Sequence, residues 1–457
     1  MFSDELTNAS LSRRRAVAGL GAGLGGIGLA QTLAASADAA GPSHGRPRAR
    51  RIIQLFMNGG PFGPDFFDPK PALAKYEGQR PESANLRTER KTGGLLPSPF
   101  AFAPAGESGV PVSDILPHFA QCIDDVAVLR SVYTDNPNHG PALQMMNTGF
   151  IVPTRPSVGS WMLYGLGVEN QNLPGYVVLC PGRPVRFSIL WSSGFLPGQY
   201  QGTYVNHSEL AAEKMVPYLK PDHSVAEQRR RLDLFRDLNA EHLAGRDGDA
   251  QLGARIESME TAFRMQTAAS DAFDLASEPE HVRTAYGTGH FANSCLLARR
   301  LAERGVRLTQ IYYGNGQPWD THSNHSDSVR KLAQDIDRPM AALLRDLKQR
   351  GMLEETLVLW GGEFGRTPTT ENGTGRDHNH YGFTMWMAGG GVRGGMTYGE
   401  TDEFGFKAAV TPVHIHDLHA TILHLLGLDH TRLTFRYAGR DFRLTDVHGR
   451  VVQEVIA

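Results

Sequence analysis

Cysteine is scarce. Cys122, Cys180 and Cys295 are the only three in 457 residues, and no two stand in CxxC spacing. The shortage excludes a thiolate zinc site and a disulfide framework, leaves room for at most one disulfide, and favours reading the three as small buried hydrophobes. An excess of charge of one sign is also missing. With 46 Lys and Arg against 48 Asp and Glu the net charge is −2, too little to hold nucleic acid or an anionic membrane surface. There is no internal repeat and no long low-complexity segment. What is present is 40% hydrophobic residues, enough for a large core, and 51 Gly with 27 Pro, the composition of a loop-rich fold that carries function on its loops.

The one long apolar stretch, Ala16 to Ala35, follows Ser12-Arg13-Arg14-Arg15 and leads to Ala37-Asp38-Ala39. Charged flank, apolar middle and small-residue exit are the parts of a signal peptide, and paired arginines mark the twin-arginine kind. A stretch of about 20 residues can also span a bilayer, but its glycines and its exit favour removal. Residues 1–39 are therefore expected to be a leader read by the twin-arginine export machinery. The mature protein is then periplasmic or secreted, without stable membrane insertion. Residues 40–51, rich in Pro, Gly, Ser and Arg, read as a linker.

From residue 52 to 457 the pattern is alternating strand and helix. Short apolar runs ended by turn residues predict strands at Arg51 to Met57, Val126 to Arg130, Tyr176 to Leu179, Val306 to Tyr313, Thr356 to Trp360 and Phe383 to Ala388. Helices are expected over Ala292 to Gly305, over Asp327 to Gly351 with apolar residues three and four apart, and over His416 to Leu426 before Gly427. The fold class is α/β: a mostly parallel central sheet with helices on both faces and ligands at the carboxyl ends of its strands. Between about 207 and 290 the chain turns densely charged and reads as a helical cap insertion whose mixed charges face solvent.

Three clusters of metal-type residues lie beside predicted strands. Asp320, His322 and His325 follow the strand ending at Tyr313, and offer the carboxylate and imidazole donors that a hard or borderline divalent cation takes. The plainer alternative is that Asp320 or Ser323 caps the next helix. Glu363 follows two glycines after Trp360, with Arg366 three residues on. Asp377, His378 and His380 crowd the approach to Phe383. Asn58, Asp65 and Asp68 add to the same edge after the first strand, Asp68 also fitting a plain turn. His139 opens a helix whose terminal amides favour anions. Ser157 is a weaker nucleophile candidate and a good helix cap. The expected metal ligands are Asn58, Asp65, Asp320, His322, His325, Glu363, His378 and His380.

The leader together with FMNGGPFGPDFFDPKP, WDTHSNH, GGEFGRTP, GRDHNHYGFTMWMAGGGVRGG and the tail HDLHATILHLLGLDHTRLTFRYAGRDFRLTDVHG resembles the bacterial family of unknown function numbered 1501, which is related to sulfatases and alkaline phosphatases. The resemblance covers nearly all of the mature chain and implies the three-layer alkaline phosphatase/sulfatase-like fold. More distantly, Phe383 to Gly395 and Val410 to Leu428 resemble the closing strand, glycine turn and last helix of sulfatases. His139 stands where sulfatases carry the residue that becomes formylglycine, Asn58 where they carry a first-strand aspartate, and Gly362-Glu363 where they carry Asp-His. The implied activity is hydrolysis of sulfate or phosphate esters of a small molecule or glycan, with a divalent zinc, calcium or manganese ion. His139 is then nucleophile or general acid, and Arg366 neutralises the bound oxyanion. The alternative is a protein that keeps the fold and binds metal or an anionic glycan without turnover.

Overall fold

The computed structural model describes residues 45–208, 224–244, 260, 263–264 and 270–457. The expected leader and much of the expected cap lie outside the described residues. The elements that place the site are strands β1 (Arg51–Phe56), β2 (Val126–Tyr133), β3 (Tyr176–Cys180), β4 (Thr203–Asn206), β5 (Leu308–Tyr312), β6 (Thr356–Gly361), β7 (Gly365–Glu371), β8 (Gly375–Asn379), β9 (Phe383–Ala388), β10 (Met396–Tyr398) and β11 (Val413–His414). With them go helices α1 (His139–Thr148), α2 (Val158–Leu166), α3 (His290–Glu303), α4 (His325–Gln349) and α5 (Ile415–Leu425).

Nine strands form one sheet in the order β10-β2-β9-β6-β1-β5-β3-β4, with β11 beside β2. Every pairing is parallel except those of β9, which runs antiparallel between β2 and β6. Residues alternate between faces along a strand, so each β1 residue belongs to one of two cores. Ile53 and Leu55 pack with α3 and α4 residues such as Leu297, Ile336 and Leu343. Ile52 and Phe56 pack on the other face with α1, α2 and α5 residues such as Leu143, Trp161 and Leu423. The mixed α/β architecture in three layers, with a mostly parallel sheet, is as the sequence led one to expect.

Several boundaries differ. Ala49 is fully buried and its amide, like that of Arg48, donates to Leu425 O, so the packed chain begins inside the stretch read as a linker. α4 starts at His325 rather than Asp327, and its N-cap Asn324 makes no side-chain cap; neither Asp320 nor Ser323 serves there. The segments that carry Arg366 and His378, for which no strand was expected, form the antiparallel hairpin β7–β8, whose strands are buried at nearly every position. Ser157 does cap α2, accepting from Ser160 N at 3.3 Å. The three cysteines are free and buried. No helix among the described residues is long and apolar enough to cross a membrane.

Candidate metal centre

The carboxyl edge of the sheet collects the candidate residues. β1 leaves it into Asn58-Gly59, β2 leads into His139, β5 into Asp320 and β6 into Glu363. β9 runs the opposite way, so the residue that precedes it by five, His378, lies at this edge too. Gly59 is required: its φ is 117°, and a Cβ would stand 2.4 Å from Asp320 N. Only a glycine lets the turn after β1 approach the 319–320 loop this closely.

Asp320 Oδ1 is the meeting point. His322 Nε2 lies 2.9 Å from it, His378 Nε2 3.2 Å and His139 Nε2 3.2 Å, the last without hydrogen-bond alignment. His322 and His378 bring their Nε2 atoms within 3.1 Å of each other. Every one of these rings is held from behind at Nδ1 by a glutamate: His139 by Glu363 at 2.7 Å, His322 by Glu371 at 2.5 Å and His378 by Glu89 at 2.5 Å. His378 Nδ1 also lies 2.8 Å from Pro137 O. Phe364 closes one side, with ring centroids 4.7 and 4.8 Å from His139 and His378.

The donor chemistry decides what fits here. A glutamate at Nδ1 places the proton on that nitrogen, which leaves Nε2 a lone pair. Three such lone pairs then face one carboxylate oxygen at about 3 Å, and two of them face each other at 3.1 Å, which is repulsive unless positive charge is shared among them. A divalent cation of the borderline class would supply that charge, and carboxylate-held imidazoles are the usual support for the ligands of such a cation. Among the described residues, two sets of donors gather within 4.8 Å: His139, Asp320 and His378, and His322, Asp377 and His378. The titration behaviour agrees. Burial opposes charging of His139, but the Asp320 and Glu363 carboxylates outweigh it and raise its pKa. Asp320 raises that of His322 against burial, with help from Glu371. Burial works against the Asp320 anion, yet its three imidazoles and Arg366 hold its pKa far below the carboxylate range.

Other candidates stand elsewhere. Glu363 is fully buried, with both oxygens accepting from Gly59 N at 3.0 and 3.2 Å. It supports His139 and the turn after β1 rather than pointing at the cluster. Asn58 fastens the 314–316 loop, donating to Gly314 O at 3.0 Å and to Gly316 O. Asp65 and His325 pair with each other at 2.7 Å, both buried. His380 packs against the Tyr381 ring, with centroids 3.9 Å apart and the planes tilted by 37°, and takes no part in the cluster. Arg366, expected to meet an oxyanion, is 1% exposed and donates to Gly59 O, Gly60 O, Arg376 O and Asp320. Its fork is committed to the protein, so it orients Asp320. His139 is held at Nδ1 by Glu363, while its Nε2 faces Asp320 Oδ1 at 3.2 Å without an aligned hydrogen bond, so its lone pair is turned into the cluster. Glu89 and Glu371 were not singled out from sequence; solitary glutamates among Arg and Asn carry no pattern, and only folding brings them behind the histidines.

Fold and cluster together define an α/β protein with a histidine–carboxylate centre at the carboxyl edge of its sheet. The family model described as "Protein of unknown function (DUF1501)" matches residues 49–456, and the chain belongs to that family. No curated protein matches it. Among solved structures it is similar to Ps i-CgsB, with TM-score 0.37, 10% identity and coverage of 83% of this chain and 72% of that one. It is also similar to the phosphonate monoester hydrolase SpPMH from Silicibacter pomeroyi, with TM-score 0.35, 13% identity and coverage of 75% and 71%. A third is the alkaline phosphatase from the Antarctic bacterium TAB5, with TM-score 0.34, 10% identity and coverage of 84% and 99%.

Proposed function

We propose that this chain is an exported, metal-dependent hydrolase of sulfate or phosphate esters, with His139, Asp320, His322 and His378 as the cation's ligands. The observation that carries the reading is the convergence of three imidazole Nε2 atoms on Asp320 Oδ1 with every Nδ1 tied to a glutamate. A bound divalent cation would offset the charge of an ester oxyanion and lower the pKa of a water towards about 7. The chain's own residues do the rest. Glu363, Glu371 and Glu89 fix tautomer and ring direction, Arg366 holds Asp320, and Phe364 excludes water from one flank. His139 is the first residue of α1, so the helix adds its partial positive charge on the same side. Asp320 and His322, with side chains 21% and 16% exposed, leave the centre open to a substrate. Water is the attacking group in this reading, since the His139 Nε2 lone pair is given to the cation.

The test is metal analysis of the purified protein, then turnover of aryl sulfate and aryl phosphate with and without added zinc, manganese or calcium. Stoichiometric metal, lost in His378→Ala together with turnover, supports the reading; metal-free protein that takes up none of these ions sinks it. The turning of His139 Nε2 towards Asp320 rather than towards a substrate favours a second reading, a metal- or anionic-glycan-binding protein without turnover. Full metal occupancy with no hydrolysis across a broad ester panel selects that one. Export through the twin-arginine machinery belongs to the proposal, and a protein that stays in the cytoplasm when Arg13 and Arg14 are both changed to Lys is the expected outcome of fractionation.

A further inference from the structure

Behind the metal centre, Asp65, His325 and Thr321 form a buried chain of hydrogen bonds. His325 Nε2 lies 2.7 Å from Asp65 Oδ2, and His325 Nδ1 lies 2.5 Å from Thr321 Oγ1. Exposures are 0% for Asp65, 1% for His325 and 6% for Thr321, so water does not compete for these groups. Burial keeps His325 neutral, its pKa pushed down to about 4 despite the pull of Asp65. Burial also disfavours the Asp65 anion, but His325 and then Arg376 outweigh it and keep the carboxylate ionised. Each bond then has one assignment. The carboxylate only accepts, so Nε2 carries the ring proton and Nδ1 must accept from the Thr321 hydroxyl. No lone pair of His325 is left for a metal.

The consequence lies in what Thr321 sits between. Its neighbours are Asp320 and His322, whose side chains meet at 2.9 Å in the centre. The backbone of this loop is fastened to the β7–β8 hairpin, where Arg376 N donates to Thr321 O at 3.1 Å and His325 N donates to Thr374 O at 3.0 Å. The Thr321 side chain ties the same loop through His325 to Asp65, in the 3-10 turn Gly63–Asp65. Three chain segments far apart in sequence are thereby locked around two adjacent ligands.

We propose that Asp65, His325 and Thr321 are positioning residues whose hydrogen-bond chain sets Asp320 and His322 at the spacing a divalent cation requires. The inference rests on the reading of the cluster as a metal centre. Thr321→Val keeps the side chain's shape and removes its hydroxyl, while Thr321→Ser keeps the hydroxyl. Zinc affinity of the metal-stripped full chain is measured by competition with a chromophoric chelator, and the visible spectrum of the cobalt-loaded protein reports ligand geometry. Thr321→Val is expected to bind zinc about 10–100-fold more weakly, the range for groups that orient metal ligands, and to change the cobalt spectrum. Thr321→Ser is expected to restore both. If Thr321→Val does not fold, Thr321→Ala carries the same expectation. Hydroxyl-free variants that match the unsubstituted chain in affinity and spectrum overturn the inference alone. An unsubstituted chain that binds neither zinc nor cobalt overturns the metal reading and the inference with it.

Discussion

Gly375 opens β8 with its Cα pressed against the ligand loop: a Cβ there would lie 1.9 Å from His322 O and 2.6 Å from Ser323 N. Both neighbours are backbone, so no rotamer change relieves the clash, and the 322–323 segment must retreat by about 1 Å to restore even a tight contact. Metal ligands tolerate departures of about 0.2 Å, so the displacement is several times the allowance. Gly375→Ala is therefore expected to weaken zinc binding at least as much as loss of a supporting group, about 10–100-fold. The strain itself is of the overpacking kind, about 1–3 kcal/mol, against a total stability of about 5–15 kcal/mol, so the variant still folds. Competition titration reads the affinity and thermal melting of the stripped protein reads the fold. Gly373→Asn serves as control, since a Cβ at Gly373 meets nothing within 4 Å and Asn tolerates its positive φ. A folded Gly375→Ala protein whose zinc affinity stays within threefold of the parent would refute the placement of His322.

Glu371→Gln keeps an acceptor for His322 Nδ1–H but removes its charge, and is expected to lower zinc affinity by about tenfold; equal affinity in the same titration removes Glu371 from the support. Arg366→Met is expected to cost about 3–5 kcal/mol in urea unfolding, because it strips donors from Asp320 and from the Gly59 and Gly60 carbonyls in a buried setting. A loss under about 1 kcal/mol would contradict that burial. Acid sensitivity has a source apart from the centre. Burial depresses His419 from 6.5 to about 3, so the unfolded chain takes up this proton first, and stability falls as pH drops below 6.5 until it levels off near the folded value. Between pH 6.5 and 4.5 the expected loss from this residue is about 2–3 kcal/mol, and His419→Gln should lose correspondingly less over that interval. Parallel pH profiles for the two proteins would dispose of the explanation.

The histidine and aspartate motifs were legible as chemistry because they stand directly at predicted strand ends, where an α/β sheet delivers its ligands. Asp320, His322, His378 and His139 all reach the cluster. Within the same motifs, sequence did not separate the clustered residues from their support: His325 and Asp65 carry the same side chains as the cluster but pair with each other, and Glu363 turns to Gly59 N and His139. A motif gives residue type and spacing; which lone pair remains free depends on neighbours from other segments. The β7–β8 hairpin went unread for a related reason. Its polar residues, Arg366, Arg376 and Asp377, are buried against Thr and carbonyl partners, so it lacks the apolar alternation by which strands show themselves.

By itself the sequence determined the alternation of short apolar runs and amphipathic helices, hence a mostly parallel sheet in three layers, and it determined which ends of the strands carry polar chemistry. Those features follow from local periodicity, which needs no long-range partner. Tertiary structure alone decided that Glu89, Glu371 and Glu363 stand behind three histidines, that Arg366 is spent on Asp320, and that Thr321 hangs from His325 and Asp65. Hydrogen-bond direction and burial are properties of pairs, and apart from Thr321 with His325 the members of these pairs lie tens to hundreds of residues apart until the chain closes.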